Sequence, residues 1–158
     1  TTSMIYFVLI YLFSNLAAFG VINVVGAATG REDISDYKGF YKTNKHLSWI
    51  MAIALFSLAG VPPTAGFFGK FFLILSGAGG TANYLLITIA ALNMVASLYY
   101  YLRIVKAMFM DENPYPLEPV KVHSSPLLGM GLCVLGIIAT GVIGSVYEYI
   151  SVLVKTLW

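Results

Sequence analysis

The stretch Leu58-Ala-Gly-Val-Pro-Pro-Thr-Ala-Gly-Phe-Phe-Gly-Lys70-Phe-Phe sets a lone lysine just past an apolar run that Gly60, Pro62, Pro63, Gly66 and Gly69 interrupt. Proline lacks an N–H and its ring clashes with the preceding turn, so a helix through this stretch must open between Ala59 and Pro63. In hydrocarbon a freed carbonyl is costly unless protein or water meets it, so such a break belongs in a protein interior or beside a wet cavity. Gly60, Gly66 and Gly69 permit non-helical backbone or close approach there, and Gly60, Pro62, Pro63 and Gly66 form the expected hinge. Lys70 lies one turn beyond, and its side chain can bend back to the break because helical side chains lean toward the N-terminus. Desolvation favours a neutral amine, whereas a carboxylate or internal water favours the ammonium, so a lysine between the two can take up and release a proton. Ionisable groups inside a membrane mark proton and ion paths. The competing reading is a structural lysine, paired with a carboxylate of a neighbouring chain.

The elements that must position this lysine are apolar helices. Of 158 residues, 59% are hydrophobic and 10% charged, with mean hydropathy +0.83. Soluble domains carry about 25% charge, so the fold class is all-α integral membrane. Four segments have the roughly 20 apolar residues that a bilayer core demands. They are residues 4–25, 49–76 (discontinuous at Pro62-Pro63), 84–109 and 127–153, a single membrane domain occupying 1–158. From Trp49 to Gly60 the rise is about 18 Å of helix, which sets the break just past mid-bilayer.

The connections 26–48 and 110–126 carry most of the basic residues near helix ends, against Lys155 alone on the other face, and so are expected on the cytoplasmic side. The linker 77–83 reads as a tight uncharged turn, and the proline-punctuated segment after Met110 as a surface loop. Ser14, Asn15, Asn23 and Gly20 on the first helix, and Gly129, Gly131, Gly136, Gly141 and Gly144 on the fourth, suit close helix packing in a larger bundle.

Other candidate residues carry two readings each. Tyr99-Tyr-Tyr-Leu-Arg-Ile-Val-Lys106 forms an interfacial belt with Arg103 and Lys106 snorkelling to headgroups, or Tyr101, Arg103 and Lys106 line a hydrated path to Lys70. Glu148, between two tyrosines, is an interfacial carboxylate or a proton exit residue. Cys133 has no partner cysteine and reads as a packing residue. His46 and His123 sit in loops without a second ligand type nearby, so no metal is expected, and the basic residues form no patch for nucleic acid. No initiator methionine, positive n-region or cleavage site is visible, so a signal peptide is not expected and the chain reads as a piece of a longer subunit.

The run Leu58 to Phe72, together with Tyr11-Leu-Phe-Ser-Asn-Leu-Ala-Ala-Phe-Gly20 and Tyr99 to Lys106, resembles the antiporter-like proton-translocating membrane subunits of respiratory complex I (NADH:quinone oxidoreductase). Among them the N type, subunit 2 of mitochondria, is the most similar. The resemblance implies helices eleven to fourteen of a fourteen-helix subunit whose twelfth helix is broken. It implies that Lys70 matches the protonatable lysine of that helix, where the M type has glutamate. The L type continues into a lateral helix, and this chain stops at Trp158. The resemblance further implies FMN, iron–sulfur clusters and quinone in other subunits and none in this chain. The implied partners are other membrane subunits, the missing N-terminal helices and the lipid bilayer. Four helices of a two-repeat transporter are not expected to pump alone. The location expected is the bacterial plasma membrane, with the mitochondrial inner membrane as alternative. Two other functions stand beside proton translocation: a Mrp-type cation/proton antiporter or membrane-bound hydrogenase subunit, and a structural module in which Lys70 holds a salt bridge.

Overall fold

In the computed structural model of the protein, residues 2–62, 64–78, 84–142 and 145–157 are described. The expected hinge residue Pro63, residues 79–83 of the turn expected at 77–83, Gly144 and Trp158 therefore lie outside the described residues, while Gly77 and Ala78 are helical. Helix dominates throughout: α1 is Thr2–Thr29, α2 Phe40–Thr43, α3 Lys45–Ala59, α4 Ala65–Ala78, α5 Tyr84–Phe109, α6 Ser124–Val142 and α7 Ser145–Leu157. α1, α5 and α6 are long and apolar enough to cross a membrane, and α3 and α4 are shorter apolar helices.

α1 is the hub, packed against α3, α4, α6 and α7. It carries a stripe of Tyr6, Ile10, Ser14, Ala17, Ala18, Val21 and Val25, all buried, at spacings of three and four residues. The small residues on that stripe let neighbours come close, the arrangement that membrane helices need where water provides no drive to associate. Asn15, expected to bond between helices, instead donates to the Tyr11 carbonyl one turn back at 2.8 Å. Ser14 does make such a bond, its hydroxyl meeting that of Ser57 on α3 at 2.8 Å. On α6 the small residues divide: Gly136 lies against the Phe13 ring, while Gly129 and Gly131 have open space beside them.

Around one end of the bundle an aromatic group locks α4 to its neighbours. The Tyr6 hydroxyl donates to the Thr140 carbonyl at 2.7 Å. Its ring meets Tyr147 edge-on at 5.4 Å, and Tyr147 stacks on Phe72 with centroids 4.4 Å apart. Phe72 is two residues from Lys70, so this group of rings sets the lie of α4 beside α1 and α7.

The long connection between α1 and α3 is a packed structure rather than a slack loop. It holds a 3-10 turn, Ile34–Tyr37, and the short α2. The Gly39 N–H donates to the Ala107 carbonyl at 3.0 Å, and Tyr41 stacks on Phe109 with centroids 4.7 Å apart, fastening it to the end of α5. Tyr37 is buried there; desolvation first, then the carboxylates of Glu32 and Asp36, push its hydroxyl up to about 12, so it stays neutral at physiological pH.

Asn44 ties the second loop down in turn. Its side-chain amide donates to the Glu118 carbonyl at 3.1 Å and accepts from the Val120 N–H at 2.7 Å. Asn44 thus pairs the 110–123 segment to the start of α3. Replacing it removes two part-buried hydrogen bonds, a loss of about 1–3 kcal/mol at roughly 0.5–1.5 each. Asn44→Ala should therefore free this segment and speed tryptic cleavage after Lys121 in the detergent-solubilised protein several-fold, with the rest of the digest unchanged.

Candidate functional site: an amine at a broken helix

α3 ends at Ala59 and α4 begins at Ala65, so the expected break occurs within the second apolar segment. Gly60 terminates α3 with φ +80° and ψ 40°, the left-handed conformation that side chains disfavour. Its N–H donates to Ser57 O at 3.1 Å while Val61 N–H donates to Phe56 O at 3.0 Å, the pair of bonds that defines a Schellman stop. Thr64 completes the turn: its N–H reaches Val61 O at 2.9 Å, and its hydroxyl lies 2.6 Å from Val61 O and 3.3 Å from Phe56 O.

Two carbonyls of the last turn of α3 have no backbone donor among the described residues, and Lys70 meets both. Its Nζ donates to Leu58 O at 2.7 Å and to Ala59 O at 3.2 Å. The side chain runs back over the break, as the lean of helical side chains predicts, and passes Gly60 so closely that a Cβ there would lie 3.1 Å from Lys70 Cδ. Gly60 thus serves both the backbone reversal and the path of the amine. An ammonium beside the free carbonyls also faces the negative end of the α3 dipole.

Gly66 brings the two half-helices together. It is buried in the first turn of α4, and a Cβ at this position would overlap the Ser57 carbonyl. Ser57 in turn is fully buried and holds Ser14 of α1 through its hydroxyl, which anchors the end of α3 to the hub helix.

The remaining sequence candidates are dispersed. Tyr101 is half-buried at the edge of the core. Arg103 and Lys106 are exposed, and both line a groove of about 1010 Å³ that also touches Lys38, Asp111 and Phe56. Glu148 is exposed on α7. Both hydrogen-bond partners of Lys70 are backbone carbonyls, so among the described residues none of these four is bonded to it. Reading the sequence for ionisable groups misses Ser14, Ser57 and Thr64, which hold the break together. The position of Thr64 next to two prolines is the available signal, since a hydroxyl can serve the carbonyls that prolines strand.

An interrupted helix whose unwound carbonyls face an ionisable group, set in a bundle of apolar helices, is the kind of element from which secondary transporters build their sites. The family described as NADH:quinone oxidoreductase/Mrp antiporter, transmembrane, matches residues 1–98, which include the break and Lys70, and the chain belongs to that family. It is 44% identical to NADH-quinone oxidoreductase subunit N of Phocaeicola vulgatus, over 94% of this chain and 32% of that protein. It is 46% identical to the subunit N of Azobacteroides pseudotrichonymphae, over 95% and 32% respectively. The chloroplastic NAD(P)H-quinone oxidoreductase subunit 2 of Zygnema circumcarinatum is 38% identical over 93% of this chain. The chain thus spans about a third of the length of these relatives. A chain of respiratory complex I from Thermus thermophilus with bound aureothin shares the fold at TM-score 0.63 and 22% identity, covering 89% of this chain and 35% of that one.

Since Gly66 lets α4 lie directly against Ser57, Gly66→Ala should push the half-helices apart at a cost of about 1–3 kcal/mol. A lowered apparent Tm and a reduced amount of protein in the membrane check this. Gly77→Ala, whose added Cβ meets open space, is the control expected to be neutral.

Proposed function

We propose that this chain is part of a subunit N-type proton translocator in the membrane arm of an NADH:quinone oxidoreductase, and that Lys70 is its proton-transfer group. The observation that carries this reading is the amine seated on the open carbonyls of Leu58 and Ala59 at the centre of a broken apolar helix. Burial disfavours the ammonium there and the carbonyl oxygens favour it, so a modest change in surroundings shifts the balance between the two protonation states. Partial separation of α3 and α4, or water entering beside Gly60, would be such a change.

In this reading the redox steps occur in other subunits carrying FMN, iron–sulfur clusters and quinone, and this chain responds to them. Its relatives named as subunit N support that assignment over a Mrp-type or hydrogenase subunit. The partners are the remaining helices of the same subunit and the other membrane subunits, in a bacterial plasma membrane. The two basic connections, 26–48 and 110–126, then face the cytoplasm. Arg103 and Lys106, exposed at the end of α5, fit best as snorkelling anchors rather than as steps on the proton path.

One observation favours a structural alternative. Lys70 caps the end of α3, so its removal strands two carbonyls whatever it does with protons. The two readings separate in sealed vesicles that contain the whole complex, with proton uptake measured against NADH oxidation at matched complex abundance. Proton transfer through Lys70 requires that Lys70→Ala lower the number of protons moved per NADH and slow turnover. Less assembled complex with a normal ratio would make Lys70 a helix cap only.

A further inference from the structure

The groove that Arg103 and Lys106 line has a second character. On α5, Val95, Leu98, Tyr99, Leu102, Arg103 and Lys106 recur at spacings of three and four residues and so form one stripe. Toward the N-terminal part of this stripe its lining is apolar, with Val95, Leu98, Tyr99 and Leu102 of α5 and Phe56 of α3. Its outer end is cationic: Arg103, Lys106 and Lys38 gather there, against the single carboxylate of Asp111. From Val95 to Lys106 the helix rises about 16 Å, close to the hydrocarbon depth of one leaflet, about half of 30 Å.

We infer that this groove holds an anionic phospholipid, its phosphate among Lys38, Arg103 and Lys106 and one acyl chain lying along Val95 to Leu102 against Phe56. The order of the lining residues and their charge select this occupant together. The groove, of about 1010 Å³, has a lining that runs along α5 from Val95, Leu98 and Leu102 to Arg103 and Lys106, an apolar end and a charged one, the pattern of a lipid headgroup above its chain. The surplus of cations over the acid favours an anionic headgroup over a zwitterionic one, at roughly fivefold for each uncompensated basic residue. The chain end would abut Phe56, whose carbonyl belongs to the Gly60 stop, so an occupied groove would brace the α3 side of the break.

The test uses the intact assembly reconstituted in bilayer discs with phosphatidylglycerol carrying a photoreactive acyl chain. Cross-linked peptides are mapped by mass spectrometry. The expected result is labelling between Val95 and Leu102 at least about fivefold above that by phosphatidylcholine with the same chain. The combined variant Lys38→Gln, Arg103→Gln, Lys106→Gln should bring the first probe down to the level of the second, while Arg103→Lys should keep the preference. Equal labelling by the two headgroups would overturn the inference. So would absence of label between Val95 and Leu102, which would mean that a protein helix fills the groove. The headgroup comparison on the unaltered assembly decides the matter even where the triple variant fails to assemble.

Discussion

Four carbonyls at the end of α3, those of Phe56, Ser57, Leu58 and Ala59, must find donors where the helix stops in the middle of an apolar segment. The backbone N–H groups of Gly60 and Val61 serve the first two, and the Lys70 amine serves the others. This constraint accounts for the local sequence. Gly60 has to turn left-handed and leave room for the lysine, Gly66 has to admit the Ser57 carbonyl, and Thr64 has to face back to Val61. The prolines that open the ladder and the lysine that closes it are two halves of one device.

The same contact connects architecture with chemistry. An ammonium has three donors and a neutral amine two, so either form can still bond Leu58 and Ala59. What deprotonation removes is the attraction between a positive charge and the negative end of a helix. Under the proposed function, a proton leaving Lys70 would loosen the joint between α3 and α4 without dismantling it, and movement of that joint would in turn change the lysine's hold on its proton. A residue that both caps a helix and titrates gives a direct route between proton occupancy and helix position.

The packing around the break is uneven. Toward α1 it is tight, with Ser14 on Ser57 and the rings of Tyr6, Phe72 and Tyr147 interlocked beyond Lys70. Toward α5 it is looser: among the described residues the most apolar part of that helix has no buried residue, and large side chains such as Leu85, Leu92 and Val95 are exposed. The end of α5 is nonetheless held, through Gly39 and the stack of Tyr41 on Phe109. Among the described residues the bundle is therefore firmer on the hub side of the break than on the α5 side.

Much of this was legible in the residues themselves. Low charge and long apolar runs settle the fold class, because membrane hydrocarbon admits few alternatives to helix. Two adjacent prolines dictate where α3 must stop, and the fixed lean of helical side chains sends Lys70 back toward that point. The partners were not legible. That Lys70 would meet the carbonyls of Leu58 and Ala59, that Ser14 would find Ser57 while Asn15 turned to its own helix, and that Asn44 would hold a loop more than seventy residues away all depend on how separate helices come together. Local rules act within a turn or two of chain and so decide where elements begin, end and point. Contacts between distant segments follow from the joint packing of all the helices, and only the tertiary structure decides those.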